Sequence, residues 1–237
     1  MLAPTPSLAQ RGANAQAEDS RSLRERFASQ SLPQTARYQA SNGTSFVLDR
    51  SGSRPLMRFD NSSEVWSLRP VPAPAGDVLY RNDAGDLVLR VTRNGGLTLF
   101  TPQSPGGIPV SVAGSADRLS PPPMSVMQLT SFLMAQSHAL LRALGRPVLI
   151  DAPEITPGNE AVYADAAATA VEAVQRMTRS RNLRPEAMRL RQIIIREGSR
   201  PDVSFNGAVL LITVVPSRGV EGRPSSARIV RAFSMRP

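Results

Sequence analysis

The sequence predicts an α+β protein: an N-terminal antiparallel β barrel or sandwich followed by a helical hairpin packed on a small antiparallel sheet. Three observations predict it. Period-two alternation broken by closely spaced turn signals fills residues 36–102, a Pro/Gly/Ser-rich stretch runs from Pro102 to Pro123, and helical periodicity takes over beyond it. At 237 residues and 41% hydrophobic, the chain has enough apolar side chain to bury a core, which excludes disorder throughout.

The clearest strands lie in Gly76–Pro102, a meander punctuated by Asn82-Asp83-Ala84-Gly85 and Asn94-Gly95-Gly96. Within it Leu87, Leu89 and Val91 alternate with Val88 and Arg90, as in a strand with one face on a core. Upstream, Arg37–Ser41 and Thr44–Leu48 flank Asn42-Gly43, which supplies the positive φ angles of a type I′ hairpin turn. Pro55–Phe59 and Val65–Leu68 follow, joined by the turn cluster Asp60-Asn61-Ser62-Ser63. Pro70–Pro74 reads as a stiff extended connector. These seven short strands form the barrel or sandwich, with Phe46, Phe59, Trp66 and Tyr80 in its core.

Nearer the N-terminus, Ser20 caps a short helix, Arg21–Gln30, whose Leu23 and Phe27 share one face that docks on the body. Past Pro102 an irregular strand spans Ile108–Val112. A helix over Ser125–Leu144 carries Met127, Phe132, Met134, Leu140, Leu141 and Leu144 and ends at the C-cap Gly145. Pro147–Asp151 is a short extended run. A second helix, Asn159–Arg179, has Val162, Ala166, Ala170, Val174 and Met177 at helical spacing, small enough to pack closely on the first. Three strands close the chain: Arg189–Glu197, Ala208–Val215 and Ala227–Ser234. The middle one is apolar on both faces and belongs at the centre of its sheet, under the helices. The expected organisation is residues 1–33 as a flexible N-terminus holding a signal-peptide remnant, 34–115 as the β domain, 116–123 as a proline-rich linker, and 124–237 as the α+β domain.

Composition removes whole chemistries. All 28 basic residues are arginine, so there is no P-loop lysine, Schiff base, Ser-Lys dyad or kinase-type lysine. With no cysteine there are no disulfides, thiolate nucleophiles or thiolate metal sites. His138 is the only histidine, and its place in an amphipathic helix suits a structural or surface role. Asn82, Asp83 and Asp86 around Gly85 suggest a calcium loop, but a terminal glutamate is missing and a hairpin turn accounts for them better. Asp151 with Glu154, or Glu160 with Asp165, are conceivable paired carboxylates that capping and solvated faces explain more simply. No cofactor and no metal is expected.

What remains is arginine. The formal charge of +9 attracts nucleic acid, anionic lipid or acidic polysaccharide without choosing among them, and a GC-rich genome produces the same arginine bias. Arg58, Arg81, Arg90, Arg93, Arg191 and Arg200 are the candidate anion-binding residues: on one face they bind anions bidentately, and scattered they only confer solubility. Aromatic residues are only 5%, too few for single-strand stacking platforms, and no helix is basic enough to read a major groove, so nucleic acid is not the favoured partner.

The N-terminus bears on location. Ser7-Leu8-Ala9 before Gln10 has the small-x-small pattern of a signal cleavage site, though no basic or long apolar run precedes it. Two readings stay open: Met1 lies inside a longer signal peptide and the protein is periplasmic or secreted, or the segment is a cytosolic tail.

Phe46–Ser51, Arg54–Phe59, Glu64-Val65-Trp66, the whole Gly76–Pro102 stretch, Ser199-Arg200-Pro201, Phe205-Asn206-Gly207 and Arg223–Ile229 resemble a bacterial family catalogued as domain of unknown function 4908. The resemblance spans most of the chain after Ala36. It implies an exported alphaproteobacterial protein and brings no activity and no catalytic residue. The leading functional expectation is therefore an exported, non-enzymatic binding or structural module facing an anionic envelope component or a protein partner. The alternatives are an enzyme acting on an anionic substrate through Arg, Asp and Ser, and a cytosolic nucleic-acid binder.

Overall fold

The computed structural model describes residues 32–234; the sequence-read helix over Arg21–Gln30 and the cleavage-like Ser7-Leu8-Ala9 lie outside them. Residues 35–115 form one antiparallel sheet of nine strands: β1 (Thr35–Ala40), β2 (Ser45–Asp49), β3 (Leu56–Phe59), β4 (Trp66–Ser67), β5 (Arg69–Pro72), β6 (Val78–Arg81), β7 (Leu87–Val91), β8 (Leu97–Thr101) and β9 (Ser104–Ser115). Their order is β4-β3-β2-β1-β9-β8-β7-β6-β5. Its two outermost strands, β4 and β5, are joined by Leu68 alone, so the sheet has to curl until its edges meet. The result is a near-barrel, filled by Tyr38, Phe46, Leu48, Met57, Tyr80 and Leu89 among others. Phe46 and Tyr80 are fully inside, while Phe59 and Trp66 are half-buried. The hairpin of β1 and β2 forms where Asn42-Gly43 placed it, but its turn is not type I′: only Gly43, at φ 87°, is left-handed, and Ala40 bonds Thr44 across a three-residue loop that ends on that glycine.

Two sequence expectations change here. Pro70–Pro74 is not simply a connector, because Arg69–Pro72 pairs with β6 as an edge strand, where a proline's missing N–H is tolerated. The irregular strand over Ile108–Val112 lengthens to β9, which joins β1 to β8. The proline-rich segment after β9 is pinned to the barrel, since buried Leu119 donates its N–H to Asp49 at 2.8 Å.

The rest of the described chain consists of α1 (Val126–Leu144), β10 (Leu149–Asp151), α2 (Glu160–Arg179), the one-turn α3 (Arg184–Ala187), β11 (Gln192–Glu197), β12 (Asp202–Phe205), β13 (Val209–Val214) and α4 (Ser226–Ser234). Helix α1 starts at a capping box of Ser125 and Gln128 and stops at Gly145, at φ 70°. The second sheet has the order β10-β11-β13-β12. It is mixed rather than antiparallel: β10, β11 and β13 run parallel and only β12 is reversed. The cause is connectivity, because α2 carries the chain back from β10 to β11 and such a crossover yields parallel neighbours. Strand β13 is central as expected, with Leu210, Ile212 and Val214 buried in a core shared with α1, α2 and α4.

The expected strand Ala227–Ser234 is helix α4. Ser225 accepts the Arg228 N–H at its N-terminus, and the buried Ile229, Ala232 and Phe233 recur at the three-and-four spacing of a helical face. Of the apolar residues that mark α1 in the sequence, Met127, Met134 and Leu141 face solvent, while Leu140 and Leu144, with Leu129, are buried.

Candidate functional site

The two hydrophobic cores meet along a polar seam between the barrel and α4. Its centre is Arg223, fully buried. The guanidinium grips Asp165 of α2 through Nε at 2.5 Å and Nη2 at 3.1 Å, and Nη2 also donates to the Val65 carbonyl of the barrel at 2.7 Å. Glu64 lies 3.9 Å from Nη1. Burial works against the charge of Arg223, but Asp165, Glu64 and Asp83 outweigh it and hold the group protonated.

Glu64 caps α4 from across the seam. Ser226 donates its N–H to Oε1 at 2.7 Å and its hydroxyl to Oε2 at 2.5 Å, so a carboxyl from the barrel sits at the positive end of the helix. Burial pushes this carboxyl above the usual carboxylate range, against the pull of Arg223, Ser226 and the Trp66 side chain, which also hydrogen-bonds it. Ser226 and Glu64 are both closed off from solvent, so the pair positions α4 and is out of reach of a substrate.

The turn between β6 and β7, the segment that suggested a calcium loop, is the other half of this dock. Asn82 and Asp86 bond each other across the turn. Asp83 accepts the Ser225 N–H at 2.8 Å, and Arg231 of α4 donates to the Ala84 carbonyl and to Asp86 at 2.9 Å. Among the described residues no group of three metal-ligating side chains converges.

Two clefts open along the seam. One, of about 310 Å³, is polar and lined by Arg54, Arg69, Asp83, Glu221 and Ser225, with Arg54 3.3 Å from Glu221. The other, of about 610 Å³, has apolar walls of Trp66, Leu87, Phe100 and Val230, with Arg176 and Arg231 beside them. Aromatic and aliphatic walls with a few placed polar groups are the usual make-up of a small-molecule site, and this volume lies within the usual range.

The six arginines singled out in the sequence do not converge. Arg90 bonds Asp77 at 2.7 Å, and the Arg93 backbone N–H reaches the same carboxyl at 3.3 Å. Arg81 closes its own turn by donating to the Gly85 carbonyl. Arg58 is exposed on β3, which β2, β1, β9 and β8 separate from β7 in the sheet. Arg191 and Arg200 flank opposite ends of β11. The arginines that line the seam clefts are Arg54, Arg69, Arg176, Arg223 and Arg231. One signal for them was present: Glu64-Val65-Trp66 and Arg223–Ile229 are segments that carry the family resemblance, and they pack against each other here.

Fold and seam together define a two-core α+β protein whose β near-barrel is locked by buried ion pairs to a helix-covered mixed sheet. The chain belongs to the family described as Domain of unknown function (DUF4908), whose model matches residues 18–233. No curated protein and no solved structure matches it. No helix among the described residues is long and apolar enough to cross a membrane.

Proposed function

We propose that the protein is an exported, non-enzymatic binding module that holds a small ligand with an apolar body and an anionic head in the seam. The observation that carries this reading is the cleft of about 610 Å³, in which Trp66, Leu87, Phe100 and Val230 offer apolar walls beside the guanidinium of Arg176. Arg231 is already engaged by Asp86, so Arg176 is the cation assigned to the ligand's head. The seam supports a binding role over catalysis because its reactive groups, Glu64, Asp165, Arg223 and Ser226, are spent on one another and fix the walls of the cleft. Export rests on the Ser7-Leu8-Ala9 pattern before Gln10.

The test is a thermal-shift screen with carboxylates, phosphates and sulfonates carrying aryl or medium alkyl groups, against matching neutral alcohols. The anions should raise the melting temperature, and Arg176→Ala should weaken the best of them about tenfold or more, as expected for loss of a charge-assisted pair. Equal shifts from alcohols and anions, or none at millimolar ligand, would discard the reading. Fractionation of the native host addresses export separately: a purely cytosolic protein sinks that part.

A further inference from the structure

We propose that two copies of this chain form a two-fold dimer by pairing the outer edge of β10 and the exposed face of α1 with their mates. This surface is remote in sequence from the seam residues and does not depend on the ligand reading.

Helix α1 presents Met127, Met134 and Leu141 at intervals of seven residues, 81%, 57% and 39% exposed, and Leu149 on β10 is 60% exposed. A spacing of seven keeps side chains on one stripe of a helix, the pattern by which helices pack on one another. Between α1 and β10 runs a groove of about 500 Å³, lined by Leu133, Met134, His138, Leu149 and Ile155 among others.

Charge selects the occupant. The protein carries a formal +9, so two copies repel over most of their surface. Between Arg118 and Arg142 the chain has no Asp, Glu, Lys or Arg. As far as Arg142 in its last turn, the α1 face is thus uncharged, and like-charged copies can approach on it with least repulsion.

Backbone geometry selects the mode. Strand β10 ends its sheet, and among the described residues nothing pairs its outer edge. Leu149 donates its N–H to the Arg191 carbonyl, so Leu149 and Asp151 turn their backbone groups toward β11, and Ile150 turns its own away. An antiparallel pair centred on Ile150 lets that residue exchange both hydrogen bonds with its mate, and sets Val148 against Ala152. Pro147 and Pro153 lie outside the strand residues Leu149–Asp151, so their missing N–H groups take nothing from a pairing centred on Ile150.

Just beyond the paired residues Leu149–Asp151, the same centring carries Arg146 of each copy toward Glu154 of the other. Glu154 is exposed. Arg146 donates to the Met188 carbonyl through one terminal nitrogen, and its other, Nη1, is buried without a hydrogen-bond partner. By swinging its guanidinium outward to gain the carboxylate it lacks, each Arg146 would pair with Glu154 of the other copy at the ends of the joint strand, and the α1 stripes would lie against each other on one face, as a closed two-fold interface requires.

Sedimentation equilibrium on the full chain tests this directly. The expected result is a dimer at micromolar protein. Met134→Glu, at an exposed position, should raise the dissociation constant on the order of a hundredfold, by setting like charges together in the interface. Glu154→Arg should weaken the dimer, and adding Arg146→Glu should restore it, with far-UV circular dichroism unchanged throughout. A monomeric wild type at tens of micromolar overturns the proposal. A dimer unmoved by both single variants overturns it too. So does a monomer that dimerises only when residues 1–31 are removed, which would give the groove to the chain's own N-terminal segment.

Discussion

The seam at α4 and the groove at α1 are both places where a helix lies beside a strand edge or turn, yet they are built of opposite materials. At the seam, ionisable side chains are buried and each meets a counter-charge or a hydrogen-bond partner: Arg223 with Asp165 and Val65, Glu64 with Ser226, Asp83 with Ser225. At the groove, apolar side chains and an unpaired strand edge face solvent. Buried pairs give little net stability but punish the loss of either member, so they fix one geometry. Contiguous exposed apolar patches mark places where another surface binds. The contrast fits a seam that holds the molecule in one arrangement and a groove that serves the assembly proposed above.

The sharpest way to break the contrast is at its most buried charge. Arg223→Met leaves Asp165 and Glu64 without their counter-charge, and urea denaturation should show a loss of about 3–5 kcal/mol. A loss under about 1 kcal/mol would mean that the seam is solvated and fixes nothing.

Two buried carboxyls give the contrast a pH signature of opposite sign. Burial opposes the ionisation of Asp49, but hydrogen bonds from Ser51, Leu119 and Thr35 win and hold it below the usual carboxylate range. Its contribution is present above that range and is lost as the pH falls through its lowered value. Glu64 is raised instead. As the pH climbs past about 4.5 the unfolded chain gives up this proton while the folded one keeps it, so stability falls until the raised value is passed. Urea midpoints measured across pH should therefore decline on both sides of a mildly acidic optimum. Asp49→Asn should flatten the acid limb and Glu64→Gln the other. A Glu64→Gln protein with an unchanged upper limb would remove Glu64 from the account.

Smaller effects should follow at the rim. Ser225→Ala removes the side chain that accepts the Arg228 N–H and should cost about 1 kcal/mol, as for other N-caps. Arg90→Ala loses only a half-exposed pair with Asp77, and its melting curve should move by less than about 1 kcal/mol.

How much of this was legible in the sequence follows from the range of each interaction. The hairpin at Asn42-Gly43 and the capped, glycine-stopped α1 were readable because their causes lie within a few residues. Helix α4 was misread although its signals are local: Ile229 and Val230 look like strand residues, while the Ser225 cap and the spacing of Ile229, Ala232 and Phe233 were the better guide. The parallel pairing of β10, β11 and β13 was not readable, because a strand's own pattern does not name its neighbour. Nor was the centre of the seam. Glu64 and Ser226 lie 162 residues apart, and no local pattern couples them. In α1, Met127, Met134 and Leu141 fit a core face by period, and only the packed structure shows which side of the helix is covered.

For the ligand proposed to occupy the seam, the protein carries its own reporter. Trp66 is the only tryptophan, and it lines the larger cleft while bonding Glu64. Titrating the intact protein with a medium-chain carboxylate should shift Trp66 emission saturably, and Arg176→Ala should move the midpoint about tenfold or more to higher ligand. Emission that stays flat across the anionic panel, or a saturable shift that Arg176→Ala leaves in place, would contradict that proposal.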